Sequence, residues 1–188
     1  YFGQSMTANN IYTVAGNGVS GYLGDNLQAT STRIQNPEHV TVDCGGNLYI
    51  ADTYSYRIRF VPRANGTHFG QPMTGGYIYC LAGRYTNFSG EGSIATTALL
   101  YNPNDVRADA NDNIFIADRT NNRLRFVPKT AGTYFGQSML ANCIYTIAGD
   151  GGYGFNNDGG LATGAHLSAP EGLDIDAVGN VYIAEPGA

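Results

Sequence analysis

A single eight-residue pattern returns three times at a fixed interval, and this periodicity restricts the chain more than any other feature. Residues 46–53 read GNLYIADT, 112–119 read DNIFIADR and 179–186 read GNVYIAEP. Tyr49, Phe115 and Tyr182 align at steps of 66 and 67 residues. In each copy a Gly-Asn or Asp-Asn pair marks a tight turn, and alternating side chains follow it up to an alanine and an acid. Period-two alternation behind such a turn is the signal of a strand in a hairpin.

The flanking residues repeat as well. An aromatic-Phe-Gly-Gln segment opens each unit (1–4, 68–71, 134–137), with Met6, Met73 and Met139 two positions after the glutamines. Short strands are predicted at 11–16, 78–83 and 144–149, where IYTVAG, IYCLAG and IYTIAG end on glycine. A long polar loop follows, through Asp25, Glu91 or Asp158 and an Ala-Thr pair, to Pro37, Pro103 or Pro170. Proline fits a strand start, where no ladder donor is yet needed. Further strands are predicted at 39–43, 105–109 and 172–176, and at 56–62 and 122–128. Four strands within each 66–67 residue period make the chain all-β and point to a β-propeller of four-stranded antiparallel blades. About three units are present, approximately 1–67, 68–133 and 134–188, the last incomplete. A stacked β-solenoid, the competing repeat architecture, uses shorter coils with fewer turns.

Composition agrees with many short strands and Gly-rich turns: the 188 residues include 26 Gly and 14 Tyr but no Trp, and only 13% are charged. A net charge of -5 argues against a nucleic-acid face. No run of about 18 apolar residues exists to span a membrane. Cys44, Cys80 and Cys143 occupy three different positions of the repeat, so they form no repeated disulfide or metal framework and read as small fillers. A Cys80–Cys143 bridge between neighbouring units stays open.

Pro-x-x-Val-x-Val-Asp, GNLYIADT and Tyr-Arg-Ile-Arg in the first unit, and IADRTNNRLR at 116–125 in the second, resemble the NHL repeat. The loop and IYTIAG strand are similar to those of bacterial secreted NHL proteins. The resemblance implies a blade order of HVTVD, GNLYIADT, YRIRFVP and IYCLAG from first to fourth strand, and a ring of about six blades. The insert ANGTHFGQPMTGG (64–76) departs from the family, lengthening the unit beyond the usual period of about 40–45 residues. With an incomplete last blade, the expectation is a fragment of a larger propeller, or a subunit completed by strands of neighbouring copies.

Glu38, His39, Asn104, Asp105 and Glu171 align just after the prolines, ahead of the strand that the resemblance makes innermost. They are the candidate ligand-binding residues at the mouth of the channel, against the plainer reading of a solvated rim. Asp52 and Asp118, with Glu185 in the third unit, are expected to serve structure, paired with Arg57 and Arg123 five residues on. Phe2, Met6, Phe69, Met73, Phe135 and Met139 of the aromatic segments are interface candidates, against packing beneath the blade's own edge. Asp25, Glu91 and Asp158 offer one acid per loop, too few for calcium, and read as turn and cap chemistry. Sequons at Asn65 and Asn87 are glycosylation candidates.

No Ser-His-Asp arrangement, CxxC, HExxH or P-loop is present, and His39, His68 and His166 fall at non-equivalent positions. The expectation is a non-enzymatic, extracellular binding or structural scaffold with no cofactor and no metal, whose partner is a protein or glycan. Two alternatives accompany it: a self-assembling extracellular filament or ring, and a metal-dependent lyase- or hydrolase-like enzyme working at the channel mouth.

Overall fold

Three blade sheets are laid down in sequence order, and the innermost strand of each begins at the proline that ends a polar loop or just beyond it. A computed structural model describes residues 1–186. The last two residues of the third unit lie outside the described residues. After a short edge strand β1 (Leu27–Gln28), the first blade holds β2 (Pro37–Val42), β3 (Leu48–Asp52) and β4 (Arg57–Val61). A small hairpin, β5 (Gly66–His68) and β6 (Gln71–Met73), precedes its outer strand β7 (Tyr77–Ala82). The second blade repeats this as β8 (Pro103–Ala108), β9 (Ile114–Asp118), β10 (Arg123–Val127), the hairpin β11 (Gly132–Tyr134) and β12 (Gln137–Met139), and β13 (Tyr145–Ala148). The third contributes β14 (Gly172–Ile175) and β15 (Val181–Ala184).

Sheet order is β1-β7-β4-β3-β2 in the first blade and β13-β10-β9-β8 in the second, with β14 beside β15 in the third. All these ladders are antiparallel. The chain is thus all-β, built from propeller blades whose innermost strands β2, β8 and β14 lie side by side. The only helical elements among the described residues are three-residue 3-10 turns.

The turn from first to second strand is built the same way three times. Asp43, Asp109 and Asp176 each accept the backbone N–H and the side-chain amide of an asparagine four residues on, Asn47, Asn113 or Asn180. This Asx-type bonding fixes the hairpin register. Tyr49 then stands opposite Phe60, and Phe115 opposite Phe126, each pair with ring centroids 4.9 Å apart.

The inserts fold as hairpins rather than loops. Their turns place Phe69 (φ 49°) and Gly70 (φ 74°), and again Phe135 (φ 50°) and Gly136 (φ 75°), in the left-handed region of a type I′ turn. Phenylalanine is strained there. The strain is offset where the rings meet Phe60 and Phe126 edge-on, at 5.4 and 5.3 Å. Alternation along β6 and β12 sends Met73 and Met139 inward, so both are core residues and not interface candidates. Phe2 and Phe69 likewise pack against buried clusters, Met6 is half-buried and Phe135 is exposed.

Residues 11–16 form no strand, in contrast to the sequence expectation. Their equivalents β7 and β13 ladder onto β4 and β10, and no third strand stands beside 11–16 in the described chain. Val14 and Ala15 instead pack beneath Ile50 and Val61.

Each blade buries one face on the next. Tyr49, Ala51, Ile58 and Phe60 of the first blade meet Val106, Ile114, Ile116 and Val127 of the second. Phe115, Ala117, Leu124 and Phe126 of the second meet Leu173, Ile175, Val181 and Ile183 of the third. Equivalent residues at the two ends lack such a neighbour. Val40 is 54% exposed where Val106 is 0% and Leu173 3%, and Tyr182 is 58% exposed where Tyr49 is 0% and Phe115 3%.

Candidate functional site

The loop-to-strand corners carry Glu38, His39, Asn104, Asp105 and Glu171 at the starts of β2, β8 and β14. The structure brings these residues together, and much of their bonding crosses from blade to blade. His39 Nδ1 lies 2.6 Å from Asp105 Oδ1, a contact that is an ion pair only when the imidazole is protonated. Asp105 Oδ2 accepts the Leu173 N–H at 2.7 Å and faces Arg107 at 3.5 Å. Asn104 donates to the Glu171 carbonyl, and Arg119 Nε donates to the Glu171 carboxylate at 2.8 Å. Thr53 Oγ1 donates to the Pro103 carbonyl at 2.8 Å. Burial pushes the His39 pKa down and the Asp105 pKa up, each opposed by the charge of the other. A polar recess of about 240 Å³ remains, lined by Glu38, Thr53, Tyr54, Asn102, Asn104, Arg119 and Glu171. Among the described residues, no group of three or more His, Cys, Asp or Glu side chains is placed to hold a metal ion.

The acids after the alanines do not pair with the arginines expected. Asp52 and Asp118 are fully buried, and their guanidinium partners are Arg59 and Arg125, at 3.2 and 3.5 Å, not Arg57 and Arg123. Arg57 stands directly opposite Asp52 in the ladder, but its head turns outward over Tyr22, 3.9 Å from the ring centroid, and donates to the Ser55 carbonyl. Arg123 does the same over Phe88, at 3.8 Å, and donates to the Asn121 carbonyl. Arg59 and Arg125, two positions further along the same strand face, reach back diagonally to the acids. Burial raises the Asp118 carboxyl to about 6 against the pull of Arg125, and raises Asp52 in the same direction.

Each buried arginine also holds the preceding polar loop. Arg59 donates to the Gly24 carbonyl and to Asp25 at 2.9 Å, and Arg125 faces Glu91 at 3.5 Å. Asp25 and Glu91 are therefore counter-charges to buried guanidinium groups rather than turn caps. Glu91 also accepts the backbone and hydroxyl protons of Thr146. Asp52, Asp118 and Glu185 share one further bond: each accepts a backbone N–H seventeen residues earlier, from Gln35, Tyr101 and Ser168. The signal for the missed partners was present in the sequence. Tyr22, Phe88 and Phe155 keep the repeat spacing three residues before the loop acids, and Arg-x-Arg puts both cations on one strand face.

The other singled-out residues lie apart. His68 packs beside Phe60, and His166 pairs with Asp150 on the surface. Asp158 lies in an exposed loop. Cys44, Cys80 and Cys143 are all free thiols, and burial pushes the Cys80 thiol up to about 12. Asn65 and Asn87 are both exposed, the first accepting the Gly75 N–H through its amide oxygen.

The fold and these inter-blade contacts define a segment of a β-propeller. Residues 100–125, which run from the second loop corner into β10, match the NHL repeat. No curated protein matches the chain. Among solved structures, a protein of unknown function from Bacteroides thetaiotaomicron VPI-5482 superposes with a TM-score of 0.64 at 18% identity, over 95% of this chain and 37% of that one. An auxiliary nutrient binding protein from Bacteroides ovatus ATCC 8483 gives 0.58 at 18% identity, over 82% of this chain and 36% of that one. Another auxiliary nutrient binding protein, from Bacteroides thetaiotaomicron VPI-5482, gives 0.54 at 17% identity, over 77% and 34%. The chain therefore spans about a third of the length of the solved structures it matches.

Proposed function

We propose that this chain is part of an extracellular propeller that works as a binding scaffold, presenting fixed loops and recesses to a protein or glycan partner. The observation that carries the reading is the buried arginine clamp. Arg59 and Arg125 tie the long loops at Asp25 and Glu91 into the blades, so the surfaces between blades are set before any partner arrives. Preorganisation of this kind reduces the ordering cost of binding. Two structural neighbours described as nutrient binding proteins support the same direction.

The test is to present the immobilised chain with a panel of oligosaccharides and peptides and follow both binding and ligand integrity. Saturable binding with the ligand recovered unchanged is the expected result. Conversion of a bound ligand would sink the scaffold reading in favour of an enzyme.

Self-assembly is a second reading, favoured by the bare apolar faces at Val40 and Val42 on one end and Tyr182 on the other. They are the two halves of a repeated blade interface, so a second copy would join head to tail. Light scattering that gives a particle of one chain mass at all concentrations would remove this reading.

A further inference from the structure

A larger recess than the one at the channel mouth lies on the outer side of the blades. A groove of about 640 Å³ runs over the outer edge of β7, between the loop carrying Tyr22, Asp25 and Asn26 and the second blade's Asn142. That is the size of a small-molecule site. Three of its features each specify a ligand group.

The first is positive charge. Arg57 and Arg84 both line the groove, and among the described residues neither has a carboxylate within 4.0 Å. Asp25, the one acid in the lining, is already held by Arg59. A carboxylate is the anion whose planar geometry matches a guanidinium fork. The second is a polar side chain in the wall. Asn142 lines the groove with its amide oxygen sealed from solvent, which leaves its amide N–H groups to donate to a ligand hydroxyl. The third is an aromatic wall: Tyr22 is 39% exposed at the rim, and Phe69 stands at the hairpin turn above Phe60. Such rings take the apolar face of a sugar or another flat ring.

Comparison between units shows where the specificity arises. The position of Arg84 is Asn17 in the first unit and Asp150 in the third. Asp150 is tied to His166, and its carbonyl accepts from Arg123, the equivalent of Arg57. The corresponding surface beside the third blade therefore carries an acid where this groove carries a cation.

We infer that the groove between the first two blades binds an acidic saccharide, its carboxylate held by Arg57 and Arg84, its hydroxyls meeting Asn142, and its ring against Tyr22. The inference rests on the binding-scaffold reading and names the ligand class for it.

Isothermal titration of the 188-residue chain tests it with oligogalacturonate, galacturonic acid, glucose 6-phosphate and the neutral maltoheptaose. The expected result is binding of the uronates and no binding of maltoheptaose. Arg84→Ala should weaken uronate binding about tenfold, and Arg84→Asp should abolish it. Arg119→Ala, in the mouth recess, should leave it unchanged. Binding of oligogalacturonate but not of the monomer would place the ligand in a polysaccharide, and equal binding per residue would make it a free sugar acid; both support the groove. Absence of uronate binding, preference for the phosphate, or uronate binding indifferent to Arg84→Ala would overturn it. Binding of another panel ligand that is lost in Arg119→Ala would overturn the groove while leaving the scaffold reading in place.

Discussion

The second and third blades carry nearly the same sequence signals and end in different states. In the second, β9 is buried along its whole length, and Arg125 is enclosed between Asp118, Glu91 and the Phe88 ring. In the third, the matching strand β15 alternates between half-buried and exposed positions, Glu185 keeps only the Ser168 N–H, and Phe155 lies 74% exposed. The residues that differ in exposure are equivalents in type, so burial here is conferred by the neighbouring strand and blade. A repeat protein distributes its stability in this way, as intrinsic unit terms plus interfaces between neighbours.

The clamp gives the sharpest contrast. Arg125→Met leaves Asp118 buried without its counter-charge and should cost about 3–5 kcal/mol in urea unfolding. The double variant Arg125→Met/Asp118→Asn should recover much of that loss. Glu185→Gln in the third blade should cost under about 1 kcal/mol, because only one hydrogen bond is weakened. An equal loss from Glu185→Gln would break the comparison.

The glycines that close the IYxxAG segments test the same idea through backbone. Gly83 sits at φ +86°, and a methyl group there would collide with the Tyr56 carbonyl; Gly16 sits at φ +87° and would meet only the Ile34 side chain, at 3.6 Å. Gly83→Ala should cost about 2–5 kcal/mol and Gly16→Ala about 1–2 kcal/mol, which thermal unfolding will separate. At the blade faces, Val106→Ala should cost about 2 kcal/mol and Val40→Ala under about 0.5 kcal/mol.

A slope with pH sharpens the comparison further. Burial raises the Asp118 carboxyl from 3.8 to about 6, so the native state holds this proton more tightly than the unfolded chain does. Its contribution to stability is complete below the ordinary carboxylate pKa and is lost as the pH rises through about 6. Between these limits the stability of the wild type should fall relative to that of Asp118→Asn as the pH rises. Parallel pH profiles for the two proteins would contradict the assignment.

The periodic features of this architecture were legible in the sequence, because turns, strands and prolines recur at the same positions. The Gly-Asn and Asp-Asn turns rest on local patterns of that kind, whereas blade order, and with it the grouping of Glu38, His39, Asn104, Asp105 and Glu171, came from the resemblance to the NHL repeat. The strand expected at 11–16 failed because a ladder needs a partner, and partners lie outside a local pattern. Arg57 was read as the partner of Asp52 from its spacing five residues on, whereas long side chains resolve their contacts along diagonals and against loops. Met73 and Met139 were read as interface candidates because they follow the aromatic segments; the hairpin pairing turns them inward, in line with the alternative of packing beneath the blade's own edge. The outer groove was invisible, since Tyr22, Arg84 and Asn142 lie far apart in the chain and meet only between blades.

Hydrogen exchange of the native chain, followed at the equivalent inner strands 39–42, 105–108 and 172–175, addresses the central claim most directly. If neighbouring blades confer the order, amides of 105–108 should exchange only with global unfolding, while those of 39–42 and 172–175 exchange faster through local opening. Equal protection of all three strands at high dilution would contradict the account, because it would mean that each blade is stable without a neighbour on both faces.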